Sequence, residues 1–149
     1  MFNWIRQDVE IAECEVLDLF CGSGVLGLEA MSRGAHYASF VDYNKECLVS
    51  VERLLRRLNA SHKATLINEQ VSTWLRHNIG KQYDLVFIDP PFAFDNPDIY
   101  LSKVKHLVKK NGLVYLENKS SASITLDSEV ECWRSARAGT IHYGLYRIL

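Results

Sequence analysis

The chain has 149 residues, 48% of them hydrophobic and 23% charged, with 17 Lys and Arg against 18 Asp and Glu for a formal net charge of −1. That length suits one domain with a single core, residues 1–149, and no run reaches the roughly 18 apolar residues of a membrane span. No signal-peptide pattern opens the chain and the charge is not that of a strongly basic nucleic-acid binder, so a cytoplasmic monomer with no membrane contact is the expectation.

Phe2 and Ile5 stand at helical spacing, and the segment Phe2 to Arg6 is expected to pack on a sheet. Val16-Leu-Asp-Leu-Phe-Cys-Gly-Ser-Gly24 then starts as an apolar run and breaks at glycines. The next residues, to Met31, carry apolar side chains at helical spacing. This reads as strand, tight loop and helix, the helix stopping near Arg33-Gly34. Gly22 and Gly24 remove Cβ atoms where the chain turns and a ligand approaches the backbone, and Gly27 lets the helix lie close to the strand. Gly22-Ser-Gly24-Val-Leu-Gly27 matches the dinucleotide pattern GxGxxG, which purely structural glycines also produce. Asp18 argues against a pyrophosphate, which its carboxylate would repel, and suits a ligand bearing an ammonium or sulfonium.

The second strand, Tyr37-Ala-Ser-Phe-Val-Asp42, ends on an acid about twenty residues downstream, the offset at which a carboxylate takes ribose hydroxyls. An adenosine derivative with a positive end is therefore the expected ligand. Asn44 caps a helix from Lys45 to about Leu58 with a buried stripe of Leu48, Val51, Leu54, Leu55 and Leu58. Its outer Arg53, Arg56 and Arg57 form a solvated face or, less simply, phosphate contacts. Ala64-Thr-Leu-Ile-Asn68 is a third strand, followed by Glu69-Gln70-Val71 and a short helix from Ser72 to about Asn78 that sends Trp74 and Leu75 to the core.

Tyr83-Asp-Leu-Val-Phe-Ile-Asp-Pro-Pro-Phe92 is a strand buried on both faces and stopped by two prolines, which forbid further pairing. An exocyclic amine on a nucleobase is a poor nucleophile because its lone pair is delocalised into the ring. The Asp89 carboxylate and a Pro90 carbonyl held rigid by Pro91 accept both amine hydrogens and turn the lone pair toward an electrophile. Phe92 offers a stacking face for a base that has left its stack. Residues 93–97 form a turn-rich connection, with Phe94 either a second aromatic contact or a hydrophobic plug.

A helix is expected from about Asp98 to Lys110, ended by Asn111-Gly112, then a strand Leu113 to Glu117 and a closing antiparallel pair around Val130–Trp133 and Ile141–Ile148. Cys14, Cys21, Cys47 and Cys132 form no CxxC pair and read as reduced thiols, with no metal site. Residues 101–149 hold eight Lys or Arg against four Asp or Glu, so Lys103, Lys105, Lys109, Lys110 and Lys119 are candidates for a modest basic surface or, equally, for helix-face charges that keep the protein soluble.

The stretch from Val16 to Ala35 together with Phe87-Ile-Asp-Pro-Pro-Phe92 resembles the bacterial small-subunit ribosomal RNA guanine-N2 methyltransferases of the RsmD type. Phe2-Asn3-Trp4 and Tyr143-Gly-Leu-Tyr146 fit the same family. The resemblance implies a Rossmann-like S-adenosylmethionine-dependent methyltransferase: an α/β fold with a mostly parallel central sheet of about seven strands and helices on both faces. It implies that Asp18, Phe20, Gly22, Gly24, Asp42, Tyr43, Gln70 and Val71 bind S-adenosylmethionine, Gln70 at the adenine. Asp89, Pro90, Pro91 and Phe92 would act on a guanine of 16S rRNA, free or within assembled small ribosomal subunits. It also implies several dozen residues upstream of Phe2, a segment this chain lacks. Three alternatives stay open: an adenine-N6 methyltransferase with the same Asp-Pro-Pro-Phe chemistry, a nicotinamide oxidoreductase, and a non-catalytic cofactor- or RNA-binding module.

Phe92→Ala is expected to lower methyl transfer about tenfold or more through lost base stacking. Cofactor affinity, measured by calorimetry, should stay within about twofold of wild type; equal loss of both would overturn the stacking role.

Overall fold

The structure, a computed structural model, describes residues 1–91, 96–119 and 124–149. Strands β1 (Glu15–Leu19), β2 (Tyr37–Asp42), β3 (Ala64–Asn68), β4 (Tyr83–Ile88), β5 (Val108–Asn118), β6 (Val130–Ala138) and β7 (Ile141–Ile148) form one sheet in the order β3-β2-β1-β4-β5-β7-β6. Strands β1 to β5 run parallel, and β7 lies antiparallel between β5 and β6. The expected α/β architecture is therefore the one observed. Among the described residues, no helix is long and apolar enough to cross a membrane.

Helices cover both faces of the sheet, which is why its inner strands are apolar on both sides. Ile5 of α1 (Phe2–Asp8), Ala30 of α2 (Val25–Ser32) and Leu48, Val51 and Leu55 of α3 (Lys45–Arg57) pack with Val16, Phe40, Leu85, Phe87, Leu113 and Tyr115. On the other face Val71, Trp74 and Leu75 of α4 (Val71–His77) and Leu101 and Val104 of α5 (Pro97–Val104) pack with Leu17, Leu19, Val86, Ile88 and Val114. The opening segment is helical as expected: Phe2 lies 5.8 Å from the Phe87 ring and Trp4 stacks on Tyr143 at 5.6 Å.

Four expectations need correction. The helix after residue 97 ends at Val104 and tightens into a 3-10 turn at Lys105–Leu107, and β5 starts at Val108. Asn111-Gly112 is a bulge inside β5, opposite Asp84, rather than a helix cap. Asn111 has φ +66, and a Cβ on Gly112 would sit 3.0 Å from the Asp84 carbonyl oxygen. Helix caps and bulges both call for a left-handed Asn or Gly, so the residue types do not separate them. On α3, Leu54 and Leu58 are 40% and 60% exposed, because the sheet covers only the stripe of Leu48, Val51 and Leu55. The carboxyl-terminal basic surface is also smaller than expected: Lys105 pairs with Asp127 and Glu129, and Lys109 with Asp84.

The chain winds outward from β1 to β3 and then returns to β4 beside β1. The strand order reverses there, and open α/β sheets bind ligands in the crevice at the carboxyl ends beside such a reversal. Helix α2 packs closely on the sheet beside this crevice and lines it with Val25 and Leu26. A Cβ on Gly27 would collide with the Phe40 ring and approach Asp18 Oδ2 to 3.0 Å. Gly27→Ala should therefore destabilise the fold by about 1–3 kcal/mol in urea denaturation, and Phe40→Leu in the same chain should recover part of the loss.

Candidate active site

Residues two apart on a strand face the same side, so the two packed clusters fix where the polar strand ends point. Val16, Phe40, Phe87 and Tyr115 all lie on the face covered by α1 to α3. Asp18, Asp42, Asp89 and Glu117 each follow one of these by two residues, so all four carboxylates emerge on that face. Leu19 pairs with Ile88, and Ile88 with Leu116, which brings the ends of β1, β4 and β5 side by side. The result is a cavity of about 600 Å³ at the reversal point. Its walls carry Asp18, Phe20, Gly22, Asp42, Tyr43, Asp89, Pro90 and Pro91 from the expected set.

The loop after β1 turns through left-handed residues. Phe20 has φ +58, Gly22 +52 and Gly24 +76, and the Gly24 N–H donates to the Cys21 carbonyl at 2.7 Å. Phe20 stays in this conformation with its ring edge-on to Tyr100 at 5.1 Å. A Cβ on Gly22 would meet only the Phe20 carbonyl oxygen, at 4.0 Å, so this stretch of backbone is open to a ligand. Gly24 does not line the cavity; it precedes α2, where a Cβ would lie 2.7 Å from Val51.

Asp42 organises the loop. Its Oδ2 accepts from the Gly22 N–H at 2.9 Å and its Oδ1 from the Asn44 N–H at 2.8 Å, which fixes the carboxylate and leaves each oxygen a further lone pair. Asp18 is 1% exposed and its Oδ2 accepts from the Gly27 N–H at 2.9 Å. Burial raises its pKa from 3.8 to about 8; the Gly27 N–H opposes the shift, and the charges of Asp89 and Asp42 add to it. Asp89 stands at the cavity mouth with part of its surface in water. Its carboxyl is nonetheless pushed up to about 6, first by loss of solvent and then by the Glu117 charge. Burial, followed by the charges of Asp18 and Asp42, pushes the Cys21 thiol up, so it stays protonated and is a small neighbour of the loop rather than a nucleophile.

Gln70 and Val71 are not brought to the cavity wall. Gln70 precedes α4 with an exposed side chain, and Val71 is 3% exposed in the core on the opposite face. Phe92 and Phe94 lie outside the described residues. Asn44, Cys47 and Glu117 line the cavity without having been assigned a place in the site from the sequence. For Glu117 the signal was its place as the last acid on the strand Leu113–Glu117, two residues beyond a tyrosine. Among the described residues no group of three or more His, Cys, Asp or Glu is arranged to hold a metal ion.

The family model described as conserved hypothetical protein 95 matches residues 1–147. The ribosomal RNA small subunit methyltransferase D of Buchnera aphidicola (subsp. Acyrthosiphon pisum) is 30% identical across 98% of this chain and 76% of its own length. The protein of the same name from Escherichia coli K12 is also 30% identical, across 99% of this chain and 74% of its own length. The crystal structure of HI0767 from Haemophilus influenzae superposes with a TM-score of 0.89 at 30% identity, covering 99% of this chain and 93% of that one.

Asp18 makes the stability of the ligand-free protein depend on pH. Below about pH 4 both the folded and unfolded chains hold its proton; from there to about pH 8 only the folded chain does, so stability falls as pH rises and the loss is complete above about 8. Asp89 contributes in the same direction only up to about pH 6. Thermal melting should show Tm dropping by several degrees between pH 6 and pH 8, and Asp18→Asn should flatten that interval. An unchanged slope in the variant would refute the assignment.

Proposed function

Since this chain belongs to the family described as conserved hypothetical protein 95, that of the ribosomal RNA small subunit methyltransferases D, we propose that it methylates the exocyclic N2 amine of a guanine in 16S rRNA. S-adenosylmethionine is the methyl donor, and the protein acts as a cytoplasmic monomer on RNA that is free or within the small subunit. One observation carries the reading: Asp89-Pro90-Pro91 at the end of β4 opens into the same cavity as Asp42 and Gly22. A base-activating element and a nucleoside-binding element therefore share one crevice.

The residues present fit this donor. Asp42 keeps free lone pairs for the two ribose hydroxyls, and the backbone at Gly22 is open for close approach. Asp18 is a buried carboxyl whose ionised form has no counterion among the described residues, and the ammonium of a methionine moiety would supply one. When bound, S-adenosylmethionine supplies a methyl carbon already made electrophilic by its sulfonium.

Toward the base, Asp89 and the Pro90 carbonyl accept the two N2 hydrogens and hold the amine with its lone pair facing the donor side of the cavity. With Phe92 as the stacking face, the base is held from its edge and its plane. Methylation leaves a positive charge and a surplus proton on N2. A carboxylate whose pKa is near 6 is mostly ionised at neutral pH and a better proton acceptor than an ordinary Asp, which suits Asp89 to receive that proton or to pass it to water.

Methyl transfer from tritiated S-adenosylmethionine to unmodified small ribosomal subunits, followed by nucleoside analysis, should yield N2-methylguanosine. Asp89→Ala should lower the rate by about 100-fold or more with cofactor binding retained. N6-methyladenosine as the product would overturn the base assignment, and cofactor binding without any transfer would favour a non-catalytic module.

A further inference from the structure

We propose that Glu117 reads the N1–H of the target guanine, and so selects guanine over bases whose N1 is an acceptor; this rests on the guanine-N2 reading above. Glu117 is on the strand next to Asp89, on the same face of the sheet, and both line the cavity. Its position is set from below. The Tyr115 hydroxyl donates to Glu117 Oε1 at 2.6 Å, and Tyr115 is 3% exposed and packed edge-on to Phe87 at 6.2 Å. A short bond from a buried, immobile donor fixes one carboxylate oxygen and leaves Oε2 for a ligand.

The pattern of acceptors matches one base edge. An ionised carboxylate only accepts hydrogen bonds. Guanine presents N2–H and N1–H as neighbouring donors, and Asp89 and Glu117 are neighbouring acceptors. Adenine and 2-aminopurine present a lone pair at N1, which would face the Glu117 carboxylate unpaired and repelled. Asp89 with the Pro90 carbonyl accounts for activating an amine but does not distinguish one aminated base from another. Glu117 supplies that distinction, because a site built to pair with an N–H rejects the analogue that lacks it.

The analogue that separates these roles is 2-aminopurine, which keeps the reacting N2 amine and lacks N1–H. Small subunits are reconstituted with 2-aminopurine in place of the target guanine, once that guanine has been mapped by the methylation assay. The wild-type protein should prefer guanine by about 100-fold or more in kcat/KM. Glu117→Gln keeps the shape and can turn its amide to donate to N1, so it should narrow that ratio at least about tenfold with S-adenosylmethionine affinity unchanged. Tyr115→Phe frees the carboxylate and should give an intermediate ratio. Equal use of the two bases by the wild-type protein, or an unchanged ratio in Glu117→Gln, would overturn the proposal. Should Glu117→Gln fail to fold, the wild-type comparison and Tyr115→Phe decide it. Absence of N2-methylguanosine from unmodified subunits would overturn the guanine-N2 reading and this proposal together, whereas normal N2 methylation without base discrimination would overturn this proposal alone.

Discussion

Along β1, β2, β4 and β5, residues two apart face the same side of the sheet, and parallel pairing brings the strand ends level. Because Val16, Phe40, Phe87 and Tyr115 are all held on the face under α1 to α3, the acids two residues further on have no freedom to point elsewhere. A one-residue slip of any strand would send its carboxylate to the opposite face and its apolar residues with it. Core packing on four strands is therefore the same constraint that assembles the site. The reversal of strand order between β1 and β4 then leaves the crevice open instead of filled by a crossover.

The electrostatics of that crevice run against stability. Asp18 is held away from water beside Asp42 and Asp89, and Asp89 lies near Glu117, so burial and these neighbouring charges make Asp18 and Asp89 harder to ionise. Backbone amides relieve part of this: Gly27 donates to Asp18, and Gly22 and Asn44 donate to Asp42. What they leave is a site that gains most from a ligand bringing positive charge at one end and hydrogen-bond donors at the other. Such concentrations of unfavourable local energy are characteristic of functional sites rather than of structural ones.

The glycine-rich loop joins these two aspects. Left-handed backbone at Phe20, Gly22 and Gly24 turns the chain from β1 into α2 within a few residues, and Asp42 of the neighbouring strand ties the turn down through the Gly22 amide. The β2 carboxylate that we propose takes the ribose hydroxyls is thus also the support of the loop that frames the cavity. Gly27 works at a different level: its N–H donates to Asp18, and its missing Cβ lets α2 come near enough to seal Asp18 from solvent.

Local pattern determined the strands, most of the helices, the glycine turn, Asp18, Asp42 and Asp89-Pro90-Pro91, because apolar periodicity, turn chemistry and proline act over a few residues and leave their mark in order along the chain. The closing antiparallel pair was legible for the same reason, whereas the union of the strands in one mostly parallel sheet was an implication of the family resemblance. The end of α5, the bulge at Asn111-Gly112 and the exposure of Leu54 and Leu58 were not, since a left-handed Asn or an apolar side chain serves more than one local structure and only packing selects among them. Tertiary structure alone decided that Glu117 stands beside Asp89 and that Gln70 and Val71 stand away from the cavity wall. Those placements depend on which strands become neighbours and on which face each residue emerges, and that is a property of pairing between segments far apart in the chain.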